Sequence, residues 1–217
     1  STLFRAILGL MRPSAGMIEV LGRDVTRLGR RGLYEVRKHI GVAFQHGALF
    51  SSLSVRENVE LPLREHTTLD DSTIRIMTRM KLGLMDLAGC EDYMPSQLSG
   101  GMLKRAGLAR AVIMDPKLLF FDEPSSGLDP VTSAGLDGLI LKLRDALNMT
   151  IVIITHELES AFNVADRITI LDRGRQVITG TREEIRACED ARVSNMLNRM
   201  ASHQAPDGDD YLRQLTE

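Results

Sequence analysis

Several features that would commit a chain to a membrane span, a disulfide scaffold or a nucleic-acid surface are scarce or missing here. The 217 residues include two cysteines, Cys90 and Cys188, far apart and in no metal-ligating spacing. So few thiols exclude a disulfide-stapled fold and fit a reducing cytosol. Neither sign of charge is in excess, since 27 Lys+Arg stand against 29 Asp+Glu for a net charge of −2. That balance argues against a protein whose task is coating nucleic acid, which needs a basic stripe. Long apolar runs are absent too. A spanning helix needs about 20 consecutive apolar residues, and the strings at 118–121 and 151–154 fall far short of it. A membrane role would therefore pass through a partner. No basic segment followed by an apolar stretch opens the chain, so a secretory signal is not expected. Repeats and low-complexity tracts are lacking. The five histidines are scattered, and His39, His46, His66 and His203 read as surface or packing residues.

What is present is enough apolar residue, 43% of the chain, to build a core. Leu3, Ile7, Leu10 and Met11 share one helical face, which predicts a first helix from almost Ser1, stopped by Pro13, Ser14 and Gly16. Residues 17–20 read as a strand turned at Gly22, and a basic helix with a solvated arginine face comes next, around 33–39. Residues 40–44 form a short apolar strand ending at Gln45. From 46 to 114 the texture is helix and loop. The unbroken apolar run at 118–121 is that of a parallel strand covered on both faces, and 151–154 is another. Leu136, Leu139, Ile140 and Leu143 form an amphipathic helix between them. The strand ends Glu123 and His156 lie 156 − 123 = 33 residues apart, the length of one βαβ unit of roughly 30 residues. A hairpin comes after them, 168–172 with 176–178 around Arg173-Gly174, then helical residues, and a mobile acidic loop is expected at 205–210. The predicted organisation is an α/β core over 1–45 and 115–182. A helical insert occupies 46–114, and 183–217 form a C-terminal helical extension and tail.

In open α/β sheets, ligands sit at the carboxyl ends of the strands. Three strands here end in polar residues: Gln45, Asp122-Glu123 and Thr155-His156. Each alone could be an ordinary strand cap; together they point to one site. Two acids directly after a buried strand suit a cation or a proton-transfer task, because an unpartnered buried charge is costly. Two solvated loop acids are the plainer alternative. Leu98-Ser99-Gly100-Gly101-Met102 opens a helix on whose one face Met102, Ala106, Ala109 and Ile113 fall, with Lys104, Arg105 and Arg110 elsewhere. Ser followed by two Gly at a helix start offers free N–H groups and close approach to an anion, or is simply a cap.

Taken in order, these motifs resemble those of an ABC-type ATPase. Leu98-Ser99-Gly100-Gly101 is similar to the signature motif and Phe121-Asp122-Glu123-Pro124 to Walker B. Gln45 matches the Q-loop glutamine, Ser126-Gly127-Leu128-Asp129 the D-loop, and His156 the switch histidine. The likeness runs from residue 1 to about 182. It implies a P-loop NTPase (RecA-like) core with an inserted α-helical subdomain, and a head-to-tail homodimer enclosing two ATP molecules with Mg²⁺. In that arrangement Ser99 and Gly101 contact the γ-phosphate held by the other copy, with Gly100 between them in the nucleotide-binding set. Asp122 and Gln45 serve the Mg²⁺ shell, and Gln45 also senses the coupling interface. Glu123 activates water, His156 contacts the γ-phosphate, and Asp129 touches the opposite site. A non-transport ABC protein would carry a long coiled-coil insert or a basic face. Gln45 and Ser99 lie only 99 − 45 = 54 positions apart, without sustained heptads. A regulatory module without turnover fits poorly beside Glu123 and His156.

The phosphate cradle of the form G-x-x-x-x-G-K-[ST] is not found, and no Gly-Lys dipeptide occurs anywhere. Ser1-Thr2-Leu3 before a helix resembles the residues immediately downstream of that dipeptide. The expectation is that the sequence begins inside Walker A, with Ser1 the Mg²⁺-binding hydroxyl and Thr2 its neighbour near the phosphates. Residues 1–217 by themselves would then be inactive; a degenerate ATPase is the alternative. The stretch from Phe44 through Phe50 and 55–59 to Thr67, with Met102 where most ABC ATPases carry Gln, is similar to the ATPases of Mla-type lipid transporters, which work with MCE-domain proteins. The resemblance implies transmembrane permease subunits and an MCE-domain lipid-binding protein as partners, and no nucleic acid. It places the chain in the cytoplasm, peripheral on the inner face of the cytoplasmic membrane. A generic importer ATPase is the other reading. Leu49, Phe50, Leu53 and Val55 lie just after Gln45 in a string with few charges; part of this set is expected to line a groove for a permease helix, with Phe50 as the exposed anchor.

Overall fold

Three parallel strands, β3 (Ile40–Ala43), β4 (Leu118–Asp122) and β5 (Thr150–Ile154), pair in the order β3-β4-β5 and hold the residues of interest at one edge. The computed structural model describes residues 2–45 and 47–204. Ser1, His46 and the expected acidic loop at 205–210 lie outside the described residues. The chain divides into two compact units, residues 1–156 and 157–217.

In the first unit the central strand β4 is covered on both faces, as its unbroken apolar run requires. Leu119 and Phe121 pack into a large core with Ala106, Ala109 and Ile113. Phe120, on the other face, meets Phe4 and Leu8, with the Phe4 and Phe120 rings 5.1 Å apart. Phe4 belongs to α1 (Thr2–Ile7). The buried face of this helix is Phe4, Ala6 and the following Leu8, whereas Leu3, Leu10 and Met11 are exposed. The helix also stops sooner than the periodicity predicts, because Gly9 takes φ +64 and turns the chain before Pro13. Two-residue strands β1 (Glu19–Val20) and β2 (Arg23–Asp24) pair around Leu21 and Gly22, both at positive φ, and α2 (Arg30–Arg37) comes next. β5 is less buried than its sequence suggests. Within this sheet it pairs with β4 alone, and Val152 is 37% exposed.

The insert folds as α3 (Val55–His66), α4 (Asp71–Leu84), a 3₁₀ turn (Pro95–Gln97) and α5 (Gly100–Val112). The start of α3 is set by a reciprocal cap: Ser54 Oγ accepts from Glu57 N at 3.2 Å and Glu57 Oε2 accepts from Ser54 N at 2.7 Å. Val59 and Leu63 of α3 and Ile74 and Leu82 of α4 join the core to which α5 contributes Leu108. α6 (Pro130–Leu147) then crosses between β4 and β5, burying Leu136, Leu139, Ile140 and Leu143 as its periodicity predicts.

The second unit holds α7 (Leu158–Val164), the antiparallel pair β6 (Ile168–Asp172) and β7 (Arg175–Gly180), α8 (Arg182–Arg186) and α9 (Ala191–Gln204) around Phe162, Ile170, Ile185 and Val193. Arg173 and Gly174, both at positive φ, form the hairpin turn. The sequence pattern groups this hairpin with residues 115–182 as one core, whereas the two-unit division places it with the helices after it.

One buried polar residue organises the loop before α3. Asn58, fully buried, accepts from Phe50 N at 2.8 Å and donates to the carbonyls of Phe50, Leu53 and Ser54, each at 3.0 Å. Removing the side chain strands several backbone groups in a dry site, at roughly 1–3 kcal/mol for each one left without water. Asn58→Ala is therefore expected to lower unfolding free energy by about 2–4 kcal/mol in urea titrations. A loss below about 0.5 kcal/mol, the range of an ordinary surface change, would show that water replaces the amide at no cost.

Candidate functional site

The register of the parallel strands brings their polar ends together. Ala43 lies beside Phe121 and Asp122 beside Ile154, so Gln45, Glu123 and His156 emerge at one edge. Glu123 bends sharply away from the strand, with φ +51, a conformation uncommon outside glycine. Its N–H donates to Ile154 O at 2.8 Å, which fixes the bend against β5. Its side chain is mostly buried. Oε2 lies 2.8 Å from His156 Nδ1 and accepts from Thr155 Oγ1 at 3.4 Å. The His156 side chain is 74% exposed and stands at the outer side of this group.

Asp122 is different. Its Oδ1 is buried and has no hydrogen-bond partner. An oxygen in that state favours a donor or a cation. No group of three or more His, Cys, Asp or Glu side chains that could hold a metal ion alone is found among the described residues. A single carboxylate oxygen instead suits an ion that keeps most of its waters.

The loop after Glu123 is tied down on two sides. Gln45 Nε2 donates to Ser126 Oγ at 3.1 Å. Lys104 of α5, buried, donates to Pro124 O at 2.6 Å and also to Ser126 O. The loop around Gln45 meets the same helix farther along. A Cβ on Gly107 would lie 2.8 Å from both Cα and O of Gly47, and Arg110 Nη2 donates to Gly47 O at 3.0 Å. Burial pushes the Arg110 guanidinium pKa down from its usual value, though arginine remains cationic in proteins.

Ser99, Gly100 and Asp129 occupy the exposed starts of two helices. Ser99 caps α5, accepting from Met102 N at 3.3 Å. Asp129 caps α6, accepting from Val131 N and Thr132 N and from the Thr132 hydroxyl. The hydroxyl of Thr132 holds the Asp129 carboxyl below the usual range. The two helix starts pack closely, since a Cβ on Gly101 would fall 2.8 Å from Thr132 Cγ2. The expected site residues thus form two groups: Gln45, Asp122, Glu123 and His156 at the strand ends, and Ser99, Gly100, Gly101 and Asp129 at two neighbouring helix starts. Thr2 is exposed at the start of α1, while Ser1 lies outside the described residues.

Sequence reasoning gave Lys104 no role, had Ser126 only as a member of the D-loop match, and missed the Gly47–Gly107 contact. A lysine inside a helix that is otherwise buried nearly all round was the available signal for the first; the others depend on pairings made only by the fold.

An apolar depression of about 430 Å³ lies beside the Gln45 loop, lined by Phe44, Ala48, Phe50, Leu61, Pro62 and Arg110 among others. Phe50 is 53% exposed, whereas Val55 is fully buried and Leu49 and Leu53 are intermediate. The Arg110 guanidinium lies 6.0 Å from the Phe50 ring centre.

Comparison with known proteins agrees with this geometry. Residues 1–126 match the family described as ABC transporter. The intermembrane phospholipid transport system ATP-binding protein MlaF of Haemophilus influenzae is 43% identical over 197 residues, covering 91% of this chain and 75% of that protein. The probable ribonucleotide transport ATP-binding protein mkl of Mycobacterium tuberculosis is 42% identical over 198 residues, 91% of this chain and 55% of that protein. Among solved structures, the dimeric ATP-binding cassette MJ0796, in a post-hydrolysis state bound to ADP and Pi, matches with a TM-score of 0.75 at 28% identity, over 83% of this chain and 79% of that one.

Proposed function

The chain belongs to the ABC transporter family as an ATP-binding and hydrolysing subunit, and we propose that it energises phospholipid movement across the cell envelope through a membrane permease. The observation that carries the hydrolytic reading is Glu123 at the end of β4, with its backbone pinned to Ile154 and its Oε2 held by His156 and Thr155. The lipid class is supported by the 43% identity to MlaF together with Met102 and the stretch from Phe44 to Thr67. The mycobacterial relative named for ribonucleotide transport supports a second reading, the ATPase of another importer.

Phosphoryl transfer asks a protein mainly to position groups and neutralise charge. Glu123 accepts the proton of the attacking water. Its Oε2 is engaged by Thr155 and His156, so the proton would pass to Oε1. His156, at the exposed side of Glu123, reaches the γ-phosphate. Asp122 and Gln45, with Ser1, would hold Mg²⁺, which when bound neutralises phosphate charge; the unpartnered Asp122 Oδ1 fits that use. Ser99, Gly100 and Gly101 at the start of α5 present a hydroxyl and N–H groups to the nucleotide of a second copy, and Asp129 of each copy borders the other's site. The partners in this reading are a second copy of the chain, transmembrane permease subunits and an MCE-domain lipid-binding protein. Among the described residues no helix is long and apolar enough to cross a membrane. The subunit would act on the inner face of the cytoplasmic membrane by passing its closure to the permease. The depression at Phe50 adjoins the Gln45 loop, where a change at the nucleotide would be felt.

In the full-length protein, Glu123→Gln keeps the size of the side chain and removes the base. ATP binding is expected to persist while turnover falls by about 10² or more. Near-normal turnover would show that Glu123 is not the base. Phe50→Ala takes away an exposed apolar anchor of the kind that dominates such contacts. It is expected to weaken co-purification with the permease and to uncouple transport, with basal ATP hydrolysis little changed. Normal co-purification would show that the exposed Phe50 is not a permease anchor, and joint loss of hydrolysis and folding would show that its role is structural.

A further inference from the structure

We propose that Lys104 is a positioning residue that transmits the seating of Ser99 on one nucleotide to the Glu123 loop serving the other. The inference rests on the proposed function, in which two copies of the chain share their ATP molecules.

Lys104 sits five residues into the helix that Ser99 caps, about 7–8 Å along its axis at 1.5 Å per residue. It is 6% exposed. A buried ammonium persists only where it is well hydrogen-bonded, and it donates to Pro124 O at 2.6 Å and to Ser126 O. Those two carbonyls flank the buried Ser125, in a loop with little slack. At its start Glu123 is pinned to Ile154 O, within it Leu128 N donates to Ser125 O at 3.0 Å, and at its end Asp129 caps α6. A shift of the two carbonyls therefore moves Glu123 or Asp129, or breaks one of these bonds. It also reaches Gln45, whose amide donates to Ser126 Oγ.

The same helix holds the Gln45 loop by a second route. Gly107 lies against the Gly47 backbone and Arg110 donates to Gly47 O. Lys104, Gly107 and Arg110 recur every three residues and make one stripe along α5. One rigid helix thus carries Ser99 at its exposed start and grips the loops of Glu123 and Gln45 with this stripe. A helix displaced by closure onto one nucleotide shifts the loops that act on the other, a contiguous route for coupling two sites. A lysine that only filled space would affect stability and leave this coupling untouched.

The test compares Lys104→Met, Lys104→Arg and Lys104→Gln in the full-length ATPase. The readouts are binding of a fluorescent ATP analogue, kcat, and the Hill coefficient of turnover against ATP. The wild type is expected to hydrolyse ATP with positive cooperativity. In Lys104→Met, analogue affinity should stay within about twofold while kcat falls about tenfold or more and the Hill coefficient approaches 1. Lys104→Arg, which still donates to carbonyls, should restore most of both. Wild-type kcat and cooperativity in Lys104→Met would overturn the proposal. If Lys104→Met does not fold, Lys104→Arg and Lys104→Gln decide: cooperativity kept in the first and lost in the second supports the role, and equal cooperativity in the two overturns it. Wild-type turnover that is non-cooperative and independent of protein concentration would instead overturn the shared-nucleotide reading beneath it.

Discussion

Everything at the site depends on the parallel pairing of β3, β4 and β5 in one register. Because Asp122 lies beside Ile154, the peptide after it can donate to Ile154 O, and that bond sets the left-handed bend at Glu123. The bend turns the Glu123 carboxylate toward Thr155 and His156 at the end of the next strand. A slip of one residue would send the acids to the other face of the sheet. The packing of Phe120 on Phe4 and of Phe121 in the main core resists such a slip, since each face of β4 has its own partner.

The second constraint is the helix α5. Its second half is mostly buried, a lysine is buried ahead of it, and its contacts run to both loops at the strand ends. Its start is left open, with Ser99 and Gly100 exposed. A rigid rod with one exposed end and two anchored loops suits a site completed by a second molecule. The Phe50 depression borders the Gln45 loop at Phe44 and Ala48 and shares Arg110 with it. The strand-end loop, the Gln45 loop and the apolar depression are thus joined by short, named contacts.

Much of this was legible in the sequence, and particular residues show why the rest was not. The strand β4 announced itself because four apolar residues run without alternation into two acids and a proline. The helical texture of the insert, its last helix after Ser99 and the hairpin turn at Arg173-Gly174 were legible from composition, periodicity and turn chemistry, whereas the separate helices α3 and α4 were not delimited. The first helix was read with the wrong face, because the pattern of Leu3, Leu10 and Met11 continues past Gly9, where the helix has ended. Val152 lies in an apolar run but is paired on one side only within its sheet, which periodicity does not encode. Lys104 and Asn58 were opaque for related reasons: each is a polar residue satisfied by loop backbone, that of a loop about 20 residues away for Lys104 and that of the turn just before its own helix for Asn58. Asp122 and Glu123 stand together in sequence, yet one keeps an unpartnered buried oxygen and the other is held by His156 and Thr155, a distinction made by the neighbouring strand.

The central claim is that each hydrolytic site is built from the strand-end residues of one chain and the helix start of another. Complementation between two inactive chains tests it most directly. Full-length Glu123→Gln and full-length Ser99→Arg are produced with different tags, and turnover is measured for each alone and for the doubly purified mixed dimer. In the mixed dimer one site combines the intact strand ends of the Ser99→Arg chain with the intact helix start of the Glu123→Gln chain, while the other site carries both defects. The expected result is turnover in the mixed dimer well above that of either variant alone. A mixed dimer no more active than the two inactive parents would contradict the shared site.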